Sequence, residues 1–294
     1  MEMRAAQLLK DVRFHNPRLA KVGVEAMSLA QLRERAGATL GPPERIEFLE
    51  LLLVDSGRGT HSVDFTDHQL QPGTVVLVRP GQVQQWRLTQ SLQGRVVLVS
   101  ADVLAPTIAR GQLDMKLLAL DEWPTSSRPD RALFTHVLSD VTRMQADIGR
   151  FVGTDLEASI IWHQWMTVLL RLARDRTDSL PAAAMGSEAQ VVRLFLRELE
   201  RSLHKRPGVR ELALRLGYSE STLSRACLAA CGRTAKRVID ERIALEAKRL
   251  LAHSDTPAAE IGHRLGFSEP TNFVKFFRRT AALTPLEFRR RSRA

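Results

Sequence analysis

One eight-residue pattern occurs twice toward the end of the chain, as Leu212-Ala213-Leu214-Arg215-Leu216-Gly217-Tyr218-Ser219 and Ile261-Gly262-His263-Arg264-Leu265-Gly266-Phe267-Ser268. Each copy reads as an amphipathic helix that ends at a Gly free to turn left-handed, followed by a Ser placed to cap a new helix. Two helices joined by so tight a turn form a helix-turn-helix. With one extra residue allowed in the second copy just after the cap, Leu223, Arg225, Cys227 and Thr234 correspond to Phe273, Lys275, Phe277 and Thr284.

Each second helix keeps apolar residues inward and turns short polar or basic residues outward. The outward sets are Ser221, Thr222, Ser224, Arg225 and Thr271, Asn272, Lys275, Arg278. A purely structural hairpin needs only the inward pattern, so the outward chemistry and its repetition point to DNA. Charge agrees. Residues 187–294 hold 22 Lys and Arg against 12 Asp and Glu, and the chain totals of 43 and 33 leave 21 of each for residues 1–186. The whole formal charge of +10 therefore sits in the last third, as a polyanion-binding module requires.

This stretch resembles the DNA-binding domain of AraC/XylS-type bacterial transcription regulators. The matching residues are Gly217-Tyr218-Ser219, Leu223-Ser224-Arg225, Gly232, Arg242, Ala247, Leu250-Leu251, Ile261, Leu265-Gly266-Phe267-Ser268, Asn272-Phe273, Phe276-Phe277-Arg278-Arg279, Thr284-Pro285 and Phe288-Arg289. Ala282 departs from the Gly usual in the family, and Cys227 from the usual Phe, which leaves the first unit's core less filled. The resemblance implies two helix-turn-helix units joined by a long helix, with double-stranded DNA as partner. A connecting helix over 234–252 spans about 28 Å, enough to serve successive major grooves about 34 Å apart. By position, Ser221, Ser224, Arg225, Thr271, Asn272 and Lys275 are expected to face bases, with Arg225 able to bond guanine through two atoms. Thr222, Arg278, Arg279 and a helix N-terminus capped by Ser268 are expected at phosphates. The family favours activation, which would make RNA polymerase a partner.

Residues 45–100 carry a different signal. Strand-like segments at 46–54, 60–65, 74–79, 85–89 and 95–99 are separated by turn chemistry at 55–59, 71–73, 79–81 and 93–94, the spacing of a barrel or sandwich. The turns Leu70-Gln71-Pro72-Gly73-Thr74 and Arg79-Pro80-Gly81-Gln82-Val83 are similar to those of the cupin-like sensory domain common in this family. Metal-holding cupins use a His-x-His pair, and His61 stands without one. His61, His68, Asp64 and Asp67 read as turn or surface residues, so neither metal nor cofactor is expected. Gln84 or Gln85 falls where relatives often carry His ahead of an aromatic such as Trp86. A small apolar effector in the barrel and a barrel filled by its own side chains are both open.

Helical spacing returns at 102–120, 129–149 and 154–176. The last has apolar residues too widely spread for one packed face, including Leu156, Ile160, Ile161, Trp162, Met166, Leu169, Leu170 and Ala173. One side would cover the barrel, and the other is either buried in the same domain or a homodimer interface. Residues 177–187 read as a linker.

The expected fold is therefore α+β: a cupin-like β-barrel with flanking helices over 1–176, a linker, and an all-α domain of two helix-turn-helix units over 188–294. The expected function is a regulator, with control by a partner protein or a metal-dependent cupin enzyme as alternatives. Nothing in the sequence supplies a nucleophile elbow, a P-loop or His-Glu-x-x-His, and residues 1–186 contain no Cys for alkyl-transfer repair. Cys227 and Cys231, four apart, read as core residues rather than a redox pair. No apolar run has transmembrane length and the charged start lacks a signal-peptide core, so a cytoplasmic, nucleoid-associated protein is expected.

Overall fold

The run Phe48-Leu49-Glu50-Leu51-Leu52-Leu53-Val54 lacks the alternation that would give it a wet face, so a strand formed there must be covered on both sides. In the computed structural model, which describes residues 10–37, 41–87, 89, 91–101, 120, 123–179 and 187–293, it is. Phe48, Leu52 and Val54 point into a core between two sheets, while Leu49, Leu51 and Leu53 point the other way, into a core shared with helices.

One sheet has the order β1 (Lys10–Val12), β3 (Glu44–Ile46), β8 (Val83–Arg87), β5 (Gly59–Val63), β6 (Thr66–Leu70). The other has the order β10 (Ser126–Ser127), β7 (Val75–Val78), β4 (Phe48–Ser56), β9 (Gln93–Ser100), β2 (Val24–Ser28). β1 lies parallel to β3, and the other pairs are antiparallel. This is the cupin-like barrel. Gly94 is required at the β4–β9 crossing, because a Cβ there would lie 2.2 Å from the Leu53 carbonyl oxygen.

Helix α1 (Leu29–Ala36) opens on a capping box between Ser28 and Gln31. Helix α2 (Arg131–Arg150) is capped by Asp130, whose carboxylate accepts the Leu133 N–H at 2.8 Å. With α3 (Asp155–Ser179) it covers the outer face of the second sheet. Val137, Val141, Met144 and Ile148 of α2 and Ile161, Trp165, Val168, Leu169 and Leu172 of α3 form that layer. α3 leaves Leu156, Ile160 and Leu170 exposed on its other side.

The five expected strands appear as β4, β5, β7, β8 and β9, and β1, β2, β3, β6 and β10 are additional. β6 escaped the sequence because Asp64 and Phe65 make the turn before it, with φ of 48° and 67°. A two-residue hairpin needs such positive values and usually announces them with Asn-Gly. The helix expected at 102–120 lies outside the described residues except for Leu120. α3 continues through Ser179, past the start of the stretch expected as a linker. Residues 180–186 lie outside the described residues. Contacts divide the chain into two units that part between Ser179 and Leu180.

The second unit is helical: α4 (Ser187–Ser202), α5 (Val209–Leu216), α6 (Glu220–Cys231), α7 (Ala235–His253), α8 (Ala258–Arg264), α9 (Pro270–Ala281) and α10 (Pro285–Arg293). They share one apolar core. Among the described residues of the chain, no helix is long and apolar enough to cross a membrane.

Candidate nucleic-acid interface

Gly217 ends α5 at φ 73°, its N–H bonded to the carbonyls of Ala213 and Leu214. Ser219 then accepts the Thr222 N–H at 3.0 Å and starts α6. Leu223, Ala226 and Cys227 are buried beneath this helix, Ser221 and Arg225 are exposed, and Thr222 and Ser224 are half-buried. The Ser219 hydroxyl also lies 2.8 Å from those of Ser221 and Thr222, which fixes the start of the outward face.

The second copy repeats the turn, with Gly266 at φ 79°, but not the cap. Ser268 does not cap α9. Glu269 occupies the cap position without a side-chain bond, and Pro270 is the first helical residue. The inserted residue explains the difference, because Pro has no N–H to satisfy and its ring presets the helical φ. α9 and α6 are both 12 residues long. Ser221, Thr222, Ser224 and Arg225 thus occupy the same helix positions as Thr271, Asn272, Val274 and Lys275. Thr271, Asn272, Lys275, Arg278 and Arg279 are all exposed.

The two cores are filled differently. Phe273 of α9 presses on Gly262 of α8, where the first unit has the buried pair Leu223 and Ala213. Phe267, Phe273, Phe276, Phe277 and Phe288 pack with ring centroids 5.1 to 5.9 Å apart. The first unit has only Cys227 where the second has Phe277. α4 packs along α6 and contributes the fully buried Phe195 and Leu199. Burial pushes the Cys227 thiol up to about 12, with the nearby Cys231 adding to the shift, so it is not a reactive thiolate.

The connecting helix α7 has 19 residues and is capped by Thr234, which accepts the Arg237 N–H. At its other end Arg289 and Arg293 of α10 donate to the carbonyls of Leu251 and Ala252. Many other cations are also engaged within the unit. Arg215 bonds Glu198 and Glu211, Arg233 and Arg237 share Glu241, and Arg242 holds Glu200 and Glu246. Arg279 reaches Asp240 at 3.2 Å, so its guanidinium is oriented and still largely exposed. Arg225, Lys275 and Arg278 form no ion pair among the described residues. They are the cations of α6 and α9 left for a partner. α6 carries one cation, and α9 carries three.

The barrel interior holds a polar centre that the sequence did not reveal. His61 is not a turn or surface residue: it is completely buried on β5 and stacked on Trp86, with ring centroids 4.0 Å apart. Its Nε2 lies 3.0 Å from Gln84 Oε1. The Gln84 amide N–H2 donates to Glu44 at 3.0 Å and to Glu50 at 3.2 Å, so Gln84 Oε1 must accept and His61 Nε2 must carry the proton. Of the remaining polar atoms, Glu50 Oε1 and His61 Nδ1 are buried without a hydrogen-bond partner.

Burial pushes the Glu50 carboxyl up to about 8 against the opposing Gln84 bond, so it is protonated at neutral pH. Burial also drives His61 down to about 3 and keeps the ring neutral. Of the other candidates, Asp64 sits in the turn, Asp67 is exposed on β6, and His68 is half-buried there. Among the described residues no group of three His, Cys, Asp or Glu is arranged to hold a metal ion.

Residues 30–147 match the family model described as an AraC-like ligand binding domain, and residues 212–291 match one described as a helix-turn-helix domain. The HTH-type transcriptional activator RhaS of Klebsiella pneumoniae is 23% identical over 279 residues, covering 94% of this chain and 96% of its own. RhaS of Citrobacter koseri is 24% identical over 249 residues, or 84% and 87% of the two chains. Among solved structures, ToxT of Vibrio cholerae with a bound unsaturated fatty acid covers 90% of this chain and 94% of its own, at 11% identity and a TM-score of 0.40. A barrel of the ligand-binding kind followed by paired helix-turn-helix units defines a two-domain DNA-binding regulator. The chain belongs to the AraC/XylS family of bacterial transcription regulators.

Proposed function

We propose that the chain is a transcription activator that sets α6 and α9 into adjacent major grooves of one DNA face and answers to a small ligand through its barrel. The observation that carries this reading is the pair of equal helices, each with an exposed polar and cationic stripe, one before and one after α7 in the chain. At 1.5 Å per residue α7 spans about 28 Å, close to the groove repeat of about 34 Å. Ser221, Ser224, Arg225, Thr271, Asn272 and Lys275 face bases, while Thr222, Arg278 and Arg279 hold phosphates. The RhaS relatives are named as activators, which favours that sense of regulation and brings in RNA polymerase.

An apolar effector fits poorly with the barrel centre. Glu50 Oε1, on a protonated carboxyl, is a donor in want of an acceptor, and His61 Nδ1 is an acceptor in want of a donor. A polar ligand carrying hydroxyl groups satisfies both kinds of atom. The exposed Leu156, Ile160 and Leu170 of α3 are the surface through which two chains pair.

Genomic footprinting of the tagged protein tests the main reading. The expected result is an asymmetric site of about two helical turns upstream of a few genes. Diffuse occupancy without a shared sequence rejects it.

A further inference from the structure

The DNA-facing stripe of α9 contains one residue of the wrong chemistry for a phosphate or a polar base edge. Thr271, Val274, Lys275 and Arg278 follow one another at the spacing that keeps residues on a single helix face. Phe273, Phe276 and Phe277 are buried on the opposite face. Val274 is 38% exposed, and it belongs neither to the apolar core nor to the partly buried residues packed against it. The equal length of the two helices puts the hydroxyl of Ser224 at the matching position of α6. An apolar residue here is thus not a requirement of the helix-turn-helix scaffold.

We propose that Val274 reads a thymine in the major groove through the thymine 5-methyl group. Among the base edges of that groove, the thymine methyl is the group that rewards an apolar contact, set among hydrogen-bond donors and acceptors. A β-branched side chain in a helix is nearly confined to one rotamer, so both Val274 methyls are presented in a fixed direction. Lys275 and Thr271, on either side, supply polar contacts to neighbouring positions. The inference rests on the reading of α9 as a recognition helix.

The test uses full-length protein and a random duplex library. Selection yields the preferred site, and each thymine in it is then replaced by uracil, which removes the methyl group and nothing else. At one thymine, uracil is expected to weaken the wild-type protein about fourfold, the worth of one buried methyl-sized group. Val274→Ala is expected to bind the thymine and uracil duplexes alike there, and Val274→Thr, which keeps one methyl, to retain part of the difference. Unchanged melting temperatures show that the variants fold. If Val274→Ala discriminates thymine from uracil at every position as the wild type does, the assignment to Val274 is overturned and the regulator reading stands. If selection enriches no site, the regulator reading falls and takes this inference with it.

Discussion

Gly262 lies so close to Phe273 that a Cβ added to it would stand 2.9 Å from the phenylalanine Cβ and 3.0 Å from its Cγ. Those atoms are next to the backbone and cannot swing away. Gly262→Ala gains about 1 kcal/mol of helix propensity against an overpacking cost of about 1–3 kcal/mol. A net loss on the order of 1 kcal/mol is expected in urea unfolding followed by circular dichroism. In a Phe273→Leu background, which recreates the pairing of Ala213 with Leu223, the same substitution should turn stabilising. No change of sign would mean that the two units do not trade volume in this way.

Ala282 ends α9 at φ 58°, just as Gly232 ends α6 at φ 63°, each with its N–H bonded back to the helix. An L residue with a Cβ is strained in that region. Ala282→Gly should stabilise the protein by about 1 kcal/mol and raise its melting temperature by about 2–4 °C. Gly232→Ala should do the reverse.

Arg225 and Arg278 are expected to fail differently. Arg225→Ala should cost about 1–3 kcal/mol at the selected site and relax one base position. Arg278→Ala should weaken specific and random DNA alike and reduce the salt slope by about 1. Fluorescence anisotropy at two salt concentrations separates them. Equal losses on both kinds of DNA for both variants would remove the division between base and phosphate contacts.

The barrel centre has a predictable pH signature. Glu50 has a folded value of about 8 against an ordinary 4.5, so the folded state keeps a proton that the unfolded state gives up, and stability falls as pH rises through that window. His61 has about 3 against 6.5, so the unfolded state holds the extra proton and stability rises with pH from 3 to 6.5. The two slopes oppose each other between 4.5 and 6.5, leaving Glu50 alone above. Glu50→Gln should therefore gain on the wild type as pH goes from 6.5 to 8. All four Trp residues lie before residue 180, so tryptophan fluorescence during urea unfolding follows the unit that matters. A gain that does not grow with pH would show Glu50 to be already ionised.

Pairing through α3 predicts that Ile160→Asp lowers the sedimentation coefficient of the full chain at micromolar concentration. Its tryptophan fluorescence should stay native, because Ile160 is on the exposed side of the helix while Trp165 is in the core. Equal sedimentation of variant and wild type would move the interface elsewhere.

The helical unit was legible because each of its signals is local. Gly217 and Gly266 mark their turns, Thr234 and the Thr284–Glu287 pair mark helix starts, and the outward faces follow from periodicity. Ser268 misled because capping depends on register, and one inserted residue moved it out of place. The barrel was half legible. Its apolar strands stood out, whereas β6, with exposed polar residues and a turn lacking Gly, carried no signal. The polar centre was hidden for another reason. Glu50, His61 and Gln84 lie on three strands, in two sheets and across 34 positions of sequence; the pairing of β5 with β8 brings His61 to Gln84, and the packing of one sheet on the other adds Glu50. Glu50 alone left a trace, as a single acid among the apolar residues of β4.

The uneven share of cations between α6 and α9 bears on how such a regulator changes over generations. If grip resides mainly in α9, substitutions at Ser221, Ser224 or Arg225 can redirect the protein to new promoters while the duplex is still held. The lightly charged helix is then the part free to drift, and duplicated copies of the gene should diverge there first.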